Sequence, residues 1–319
     1  MQVYNDLDLF IRQKLVDWSV ITNQEKIILD PYYSVNLSGK KYSHYIISCL
    51  YSGQKFFLKI SKDNDMSSHC NDYLQSFRDE NGEYLYPHIV VPEFEFYGIH
   101  YFITTFTEGI SLNNISENFT ADQWKTISQK LLIRLDELST IHAPLYSEKN
   151  KFITDDCATI LKEKIVKRFK HPLFNRYSYE KIDKACKCCF YILDNSYFTK
   201  PTLLHMDVKP ANIVYNSQTG IVTLIDFEFA RFGDKDYGWT QILLSGINAF
   251  GDEYKKYIVP YMAEGRLTLE DTLKIPKYQC YIFYQTACNL IYYYDRNMKC
   301  PDDMIKLFEK FLDKLSREY

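Results

Sequence analysis

The chain lacks any uninterrupted apolar run approaching the roughly 18 residues that a membrane-spanning helix needs, so no membrane helix is expected. It also lacks a basic excess. With a formal net charge of −3, it has no global attraction for nucleic acid or an anionic membrane surface. The start, "MQVYNDLDLFIRQKLVDW", is amphipathic with early acids and has neither a basic-then-apolar leader nor a small-residue cleavage site. A cytoplasmic location follows as the expectation. Nor is there a paired-cysteine framework: the nine cysteines are odd in number and mostly isolated. The one cluster, Cys186, Cys188 and Cys189 in "KACKCCF", has no second Cys or His pair at zinc-ligand spacing, so buried helical thiols are expected there. Internal repeats and low-complexity linkers are absent.

What remains is a chain able to build a large core. Its 319 residues are 46% hydrophobic and 25% charged, which suits a globular molecule of two lobes or domains. From about 27 to 106 the sequence is strand-rich. "YSHYIISCL" and "KFFLKI" flank a short turn containing Gly53 and read as an antiparallel hairpin. A helix is expected at about 67–80. Two more strands are expected around Gly98, with Pro92 marking the start of the first. After 107 the pattern turns helical. Thr120 and Gln123 form a capping box that opens a helix running to about His142 and stopped by Pro144. Further helices are expected at about 155–170 and 178–196, and again over most of 237–319. Between them, "ANIVY" and "IVTLIDFEF" read as a short hairpin across "NSQTG". The expectation is an α+β molecule, with a small antiparallel-sheet lobe carrying one helix over 1–106 and a larger, mainly helical lobe over 107–319.

The polar stretch "LLHMDVKPANIVY" sits at the approach to that hairpin. Asp207, Asn212 and Asp226 bring three oxygen-bearing side chains to a mostly apolar neighbourhood. Asn212 and Asp226 occupy opposite ends of the hairpin, where an antiparallel register brings them close. Two such oxygens suit Mg²⁺, which keeps waters and takes further ligands from phosphates. Asp207 would then orient a hydroxyl and accept its proton. Any one of these residues alone reads as an ordinary Asx turn or cap.

The pattern His-x-Asp-x4-Asn followed by Ile-Asp-Phe resembles the catalytic and metal-binding loops of the protein-kinase-like superfamily, most closely its aminoglycoside phosphotransferase and choline kinase branch. The resemblance extends over about residues 30–260. It implies a bilobal fold, ATP or GTP as phosphoryl donor, Mg²⁺, and transfer to a hydroxyl of a small molecule. By the same resemblance Asp207 is the catalytic base, Asn212 and Asp226 hold the metal, and His205 is a hydrogen-bonding partner inside the loop. Lys209 offsets charge at the γ-phosphate. Lys59 in "FFLKI" meets the α- and β-phosphates, since a cation on a buried strand needs an anionic partner. Adenine pairs with backbone groups near Thr105 and Thr107 in "YFITTFTEG", and Gly109 permits the turn away from the sheet.

Departures from the family pattern are specific. No Glu lies between Lys59 and Glu80, so Asp72 is the best-placed helical acid to pair with Lys59. "NLSGKKYSHY" has neither G-x-G-x-x-G nor a Walker A pattern; Ser38 and Gly39 stand as phosphate neighbours, with an ordinary hairpin turn as the alternative. Asp234 and Asp236 in "FGDKDYGW" are expected to brace the loop. Acceptor identity stays open: an aminoglycoside-type antibiotic comes first, with choline, a sugar or an amino alcohol behind. Acids Asp252, Glu253, Glu264, Glu270 and Asp271 would suit a polycation. The rings of Tyr278, Tyr281, Phe283, Tyr284 and Tyr292 to Tyr294 would suit a quaternary amine. For both sets the commoner roles are exposed helical acids and core packing. A protein kinase fits less well, because Phe-Glu follows Asp226 and no Ala-Pro-Glu appears downstream. A nucleotide-binding pseudoenzyme is the third reading.

Overall fold

A computed structural model describes residues 2–35, 41–61, 67–112, 119–142, 157–245 and 274–318. The chain forms two compact units, 1–110 with 216–229 and 111–215 with 230–319. The sequence places the break at 106/107; the compact units divide at 110/111 and assign the later segment 216–229 to the first.

The first unit is built on a five-stranded antiparallel sheet of β1 (Ile27–Val35), β2 (Lys41–Cys49), β3 (Lys55–Ile60), β4 (Ile89–Phe96) and β5 (Ile99–Thr105) in the order β1-β2-β3-β5-β4. Its turns follow from backbone chemistry. Tyr97 and Gly98 both have positive φ, +50° and +75°, as a tight two-residue hairpin requires. Pro92 is tolerated because β4 is an edge strand with register shifts around it, where a missing N–H breaks no inner ladder. The amphipathic start forms helix α1 (Gln2–Asp17), whose Leu7, Ile11 and Leu15 recur at one-turn spacing and pack with Ile47, Leu58, Val91 and Ile103. This adds a helix to the one expected in this unit. Helix α2 covers Ser67–Leu74, shorter than the 67–80 expected. Beyond it Asp79 Oδ1 accepts the N–H groups of Asn81 and Glu83, and Gly82 takes φ +84°. That local turn outcompetes the helix.

The second unit is mainly helical: α3 (Ala121–Thr140), α4 (Cys157–Phe169), α5 (Tyr179–Asp194), α6 (Lys235–Ser245), α7 (Pro276–Asp295) and α8 (Asp302–Arg317). Both bonds of the Thr120–Gln123 capping box form; Pro144 falls outside the described residues. Phe283 packs with both Phe169 and Phe308, with ring centroids 4.8 and 5.3 Å away. Short strands complete the chain: β6 (Ile110–Ser111), β7 (Thr202–Leu204), β8 (Ile213–Asn216), β9 (Ile221–Leu224) and β10 (Arg231–Gly233). β7 and β10 pair antiparallel, Arg231 opposite Leu204. None of the described helices is long and apolar enough to cross a membrane. The molecule is therefore α+β, an antiparallel sheet followed by a helical unit.

Candidate active site

The polar loop 205–212 is suspended between β7 and β8. Pro210 opens a single 3₁₀ turn over Pro210–Asn212, where its missing N–H costs nothing. The Asn212 N–H closes that turn on the Lys209 carbonyl at 2.8 Å. From below, Ser111 Oγ donates to the carbonyls of Pro210 and Ala211 at 3.3 and 3.2 Å. Met206 takes φ +64°, a left-handed conformation uncommon outside glycine. His205 is buried, and its Nδ1 accepts the Asp207 N–H at 3.3 Å, which places its ring proton on Nε2.

The side chains of Asp207, Lys209 and Asn212 converge. Asp207 Oδ2 accepts from Lys209 Nζ at 2.6 Å and from Asn212 Nδ2 at 2.9 Å. Asn212 Nδ2 also donates to the Asp207 carbonyl at 2.9 Å. Two acceptors on one nitrogen fix the amide's orientation, because its oxygen cannot donate. Among the described residues nothing donates to Asp207 Oδ1 or to Asn212 Oδ1. One carboxylate oxygen is thus held by a cation and an amide, while the other keeps its acceptor capacity. That is what a base for a hydroxyl proton requires.

Lys59 and Asp226 meet within the first unit. Strand alternation puts Phe56 and Leu58 in the core with α1, so Lys59 projects from the opposite face of the sheet. Its ammonium lies 2.6 Å from Asp226 Oδ1 and 5.8 Å from the ring centre of its cross-strand neighbour Phe102. The Lys59 side chain is 11% exposed and that of Asp226 is 32% exposed. Burial of the cation makes the carboxylate obligatory, since a lone charge there is expensive. Asp226 takes φ +67°, a strained conformation costing about 1–2 kcal/mol. The buried Phe227 ring, edge-on to Tyr86 at 5.9 Å, anchors the chain beside it.

The remaining expected nucleotide neighbours divide. Ser38 and Gly39 lie outside the described residues, and Asp72 lies on α2 with a side chain that does too. Thr105 ends β5 with its N–H bound to the His88 carbonyl at 2.9 Å and its hydroxyl accepting the His88 N–H at 3.1 Å. Its N–H is therefore committed to the sheet. Burial, aided by the Arg78 guanidinium, pushes the His88 imidazole below its ordinary pKa. Thr107, past the strand and half-buried, has no backbone bond among the described residues.

Of the residues expected to face an acceptor, Tyr278, Tyr281, Phe283 and Tyr284 are all buried in α7. They are core residues, not an open aromatic box, whereas Tyr294 is exposed. Asp252, Glu253, Glu264, Glu270 and Asp271 lie outside the described residues. Asp234 is a buried hub: it accepts from Tyr281 Oη at 2.6 Å, Lys277 Nζ at 3.0 Å and the Asp236 N–H at 3.2 Å. Lys277 also meets Asp236 at 2.6 Å. These two acids raise the Lys277 ammonium against the opposing effect of burial. No local signal exposes a pairing across 43 residues. The α5 thiols are inert, with burial pushing Cys188 up to about 11 and Cys186 up to about 12.

No protein-family model matches the sequence, and no curated protein matches it either. Solved structures do match in fold. A thermostable variant of the aminoglycoside phosphotransferase APH(4)-Ia, in ternary complex with ADP and hygromycin B, aligns with a TM-score of 0.66 at 13% identity, covering 97% of each chain. The GDP complex of aminoglycoside 2′-phosphotransferase-IIIa aligns at 0.54 and 14% identity, covering 98% of this chain and 99% of that one. A GDP and kanamycin complex of APH(2″)-IIIa aligns at 0.53 and 16%, covering 97% and 98%. The chain shares the protein-kinase-like fold of the aminoglycoside phosphotransferases.

Proposed function

We propose that the protein is an ATP- or GTP-dependent phosphotransferase that moves the γ-phosphate to a hydroxyl of a small molecule. The observation that carries this reading is the Asp207, Lys209 and Asn212 cluster, in which one Asp207 oxygen is fixed and the other is left to accept. In this reading Asp207 Oδ1 orients the acceptor hydroxyl and takes its proton. Lys209, beside it, offsets charge that develops on the transferring group. Lys59 exchanges its carboxylate partner for nucleotide phosphate oxygens, and Thr107 offers backbone groups to the base. Asn212 Oδ1 and the Asp226 carboxylate are oxygen donors of the kind Mg²⁺ prefers, and each would supply one ligand. When bound, the ion neutralises phosphate charge.

The fold supports a nucleotide donor, because the similar structures hold ADP or GDP. It also supports a small acceptor, because they hold hygromycin B or kanamycin. An aminoglycoside is therefore the first acceptor to test. The test is nucleoside diphosphate release by the full chain with Mg²⁺ across hydroxylated acceptors, with Asp207→Asn as control. Acceptor-stimulated release that disappears in the variant is the expected result. Equal release in both proteins would remove Asp207 from the chemistry.

A further inference from the structure

Three cations of the second unit have no balancing carboxylate among the described residues. Lys164 and Arg168 stand one helical turn apart on α4, and Arg231 on β10 lies within electrostatic reach of Lys164. Lys164 is half-buried. Arg231 lies over the Tyr237 ring at 5.4 Å, and Arg168 lies near the Tyr284 hydroxyl. Among the described residues no carboxylate pairs with any of the three. The other titratable neighbours are Cys157 on α4, Tyr237 on α6, and Tyr284 and Cys288 on α7. Burial pushes Tyr237, Tyr284 and Cys288 upward, so these three stay neutral at pH 7 and contribute dipoles, not charge. Lys164 and Arg231 are half-buried while Arg168 is exposed, and gathering like charges around a partly desolvated lysine is unfavourable unless a bound anion offsets it.

A second observation lies beside the cations. Gln285 Nε2 donates to the Tyr237 carbonyl at 3.1 Å, which fixes its amide and leaves Oε1 buried with no partner among the described residues. That oxygen calls for a hydroxyl or N–H donor from a ligand. The place is also near the chemistry. Arg231 opposes Leu204 across the β7–β10 pair, and Leu204 is three residues before Asp207. Cα steps of about 3.8 Å and a cross-strand gap of about 5 Å put Arg231 within about 17 Å of Asp207, Cα to Cα. Two side chains and one small molecule span that distance.

We propose that Lys164, Arg168 and Arg231 form an oxyanion subsite, so that the acceptor is a small hydroxylated acid whose carboxylate or phosphate docks there while its hydroxyl reaches Asp207. The proposal rests on the phosphotransferase reading and narrows its acceptor class, since a polycationic aminoglycoside would be repelled at this face. Burial and the two guanidiniums push the Lys164 ammonium down to about 8. It is charged below that pH and loses its proton above. Acceptor KM is therefore expected to be flat up to pH 8 and to rise above it.

The test uses the full chain, first in thermal unfolding with inorganic phosphate against sodium chloride at equal ionic strength. Wild type and Lys59→Met should both be stabilised by phosphate, which shows that the effect does not come from the nucleotide site. Arg231→Gln and Lys164→Met should lose the shift. Without phosphate, Lys164→Met should melt no lower than wild type, because it removes an unpaired, partly desolvated cation; a lower midpoint would mark the lysine as merely structural and overturn its role. Diphosphate release is then measured with glycerate, glycerol 3-phosphate, glycerol, choline and kanamycin. The first two distinguish carboxylate from phosphate, and in either subsite variant KM for the active acid should rise at least about tenfold with kcat changed less than about threefold. Stimulation by choline or kanamycin, unchanged in the variants, would overturn the subsite and leave phosphotransfer standing. A phosphate shift lost in both variants, with no acceptor active, would support the subsite and count against phosphotransfer. Equal phosphate shifts in all four proteins would overturn the subsite whatever the enzyme does.

Discussion

Asp207 keeps one carboxylate oxygen open after its bonds are made. Lys209 and Asn212 occupy one oxygen, so replacing the carboxylate by an amide removes the base while an amide oxygen can still accept from Asn212, and both Asn212 and Asp226 keep their own oxygens. Asp207→Asn should lower turnover by about 10²–10⁴-fold, with nucleotide affinity by titration changed less than about threefold. Asp226→Ala acts on a different link. It strips the carboxylate from the buried Lys59 ammonium and should destabilise the first unit by about 1–3 kcal/mol in urea unfolding. It should also abolish the difference between nucleotide affinities with and without Mg²⁺; an unchanged difference would contradict the metal role. The residue types of this site were legible in "HMDVKPAN" and "LIDF". The positive φ of Met206 and Asp226 and the fixed amide of Asn212 were not, because they arise from where the chain is held rather than from which letters it contains.

At the scale of elements, the strands and helices with strong local signals lie where the sequence placed them. "KFFLKI" is β3 residue for residue, and the capping box opens α3 as written. Thr120→Ala should therefore cost about 1 kcal/mol, read as a lower urea midpoint with unchanged slope. Elements without such signals were missed. Strands β7 and β10 are three residues each, too short for any periodicity, and they pair only through tertiary contact. The end of α2 was misplaced because Asp79 and Gly82 favour a turn that helical periodicity does not register. The aromatic-rich α7 shows the opposite ambiguity: a ligand box and a core produce the same run of rings. Burial of Phe283 in one cluster with Phe169 and Phe308 decides for the core. Phe283→Ala should destabilise by about 3–5 kcal/mol in calorimetry, whereas a ring serving only a ligand would leave the melting temperature unchanged.

For the molecule as a whole, the first unit carries Lys59 on its sheet and Asp226 in the loop after β9, and the mainly helical second unit carries Asp207, Lys209 and Asn212. The switch from alternating to helical patterning in the sequence follows the change from sheet to helices, but the sequence could not convey acceptor chemistry. The groups proposed to meet the acceptor, such as Arg231 and Gln285, lie on separate elements and carry no motif. The most direct measurement follows γ-phosphate from labelled ATP, with Mg²⁺, into a small hydroxylated acceptor, using wild type and Asp207→Asn side by side. Label transferred to the acceptor by wild type, and reduced at least about 100-fold in the variant, is the expected result. Equal transfer by the two proteins, or nucleotide binding by both with no transfer to any acceptor, would contradict a phosphotransferase that works through Asp207.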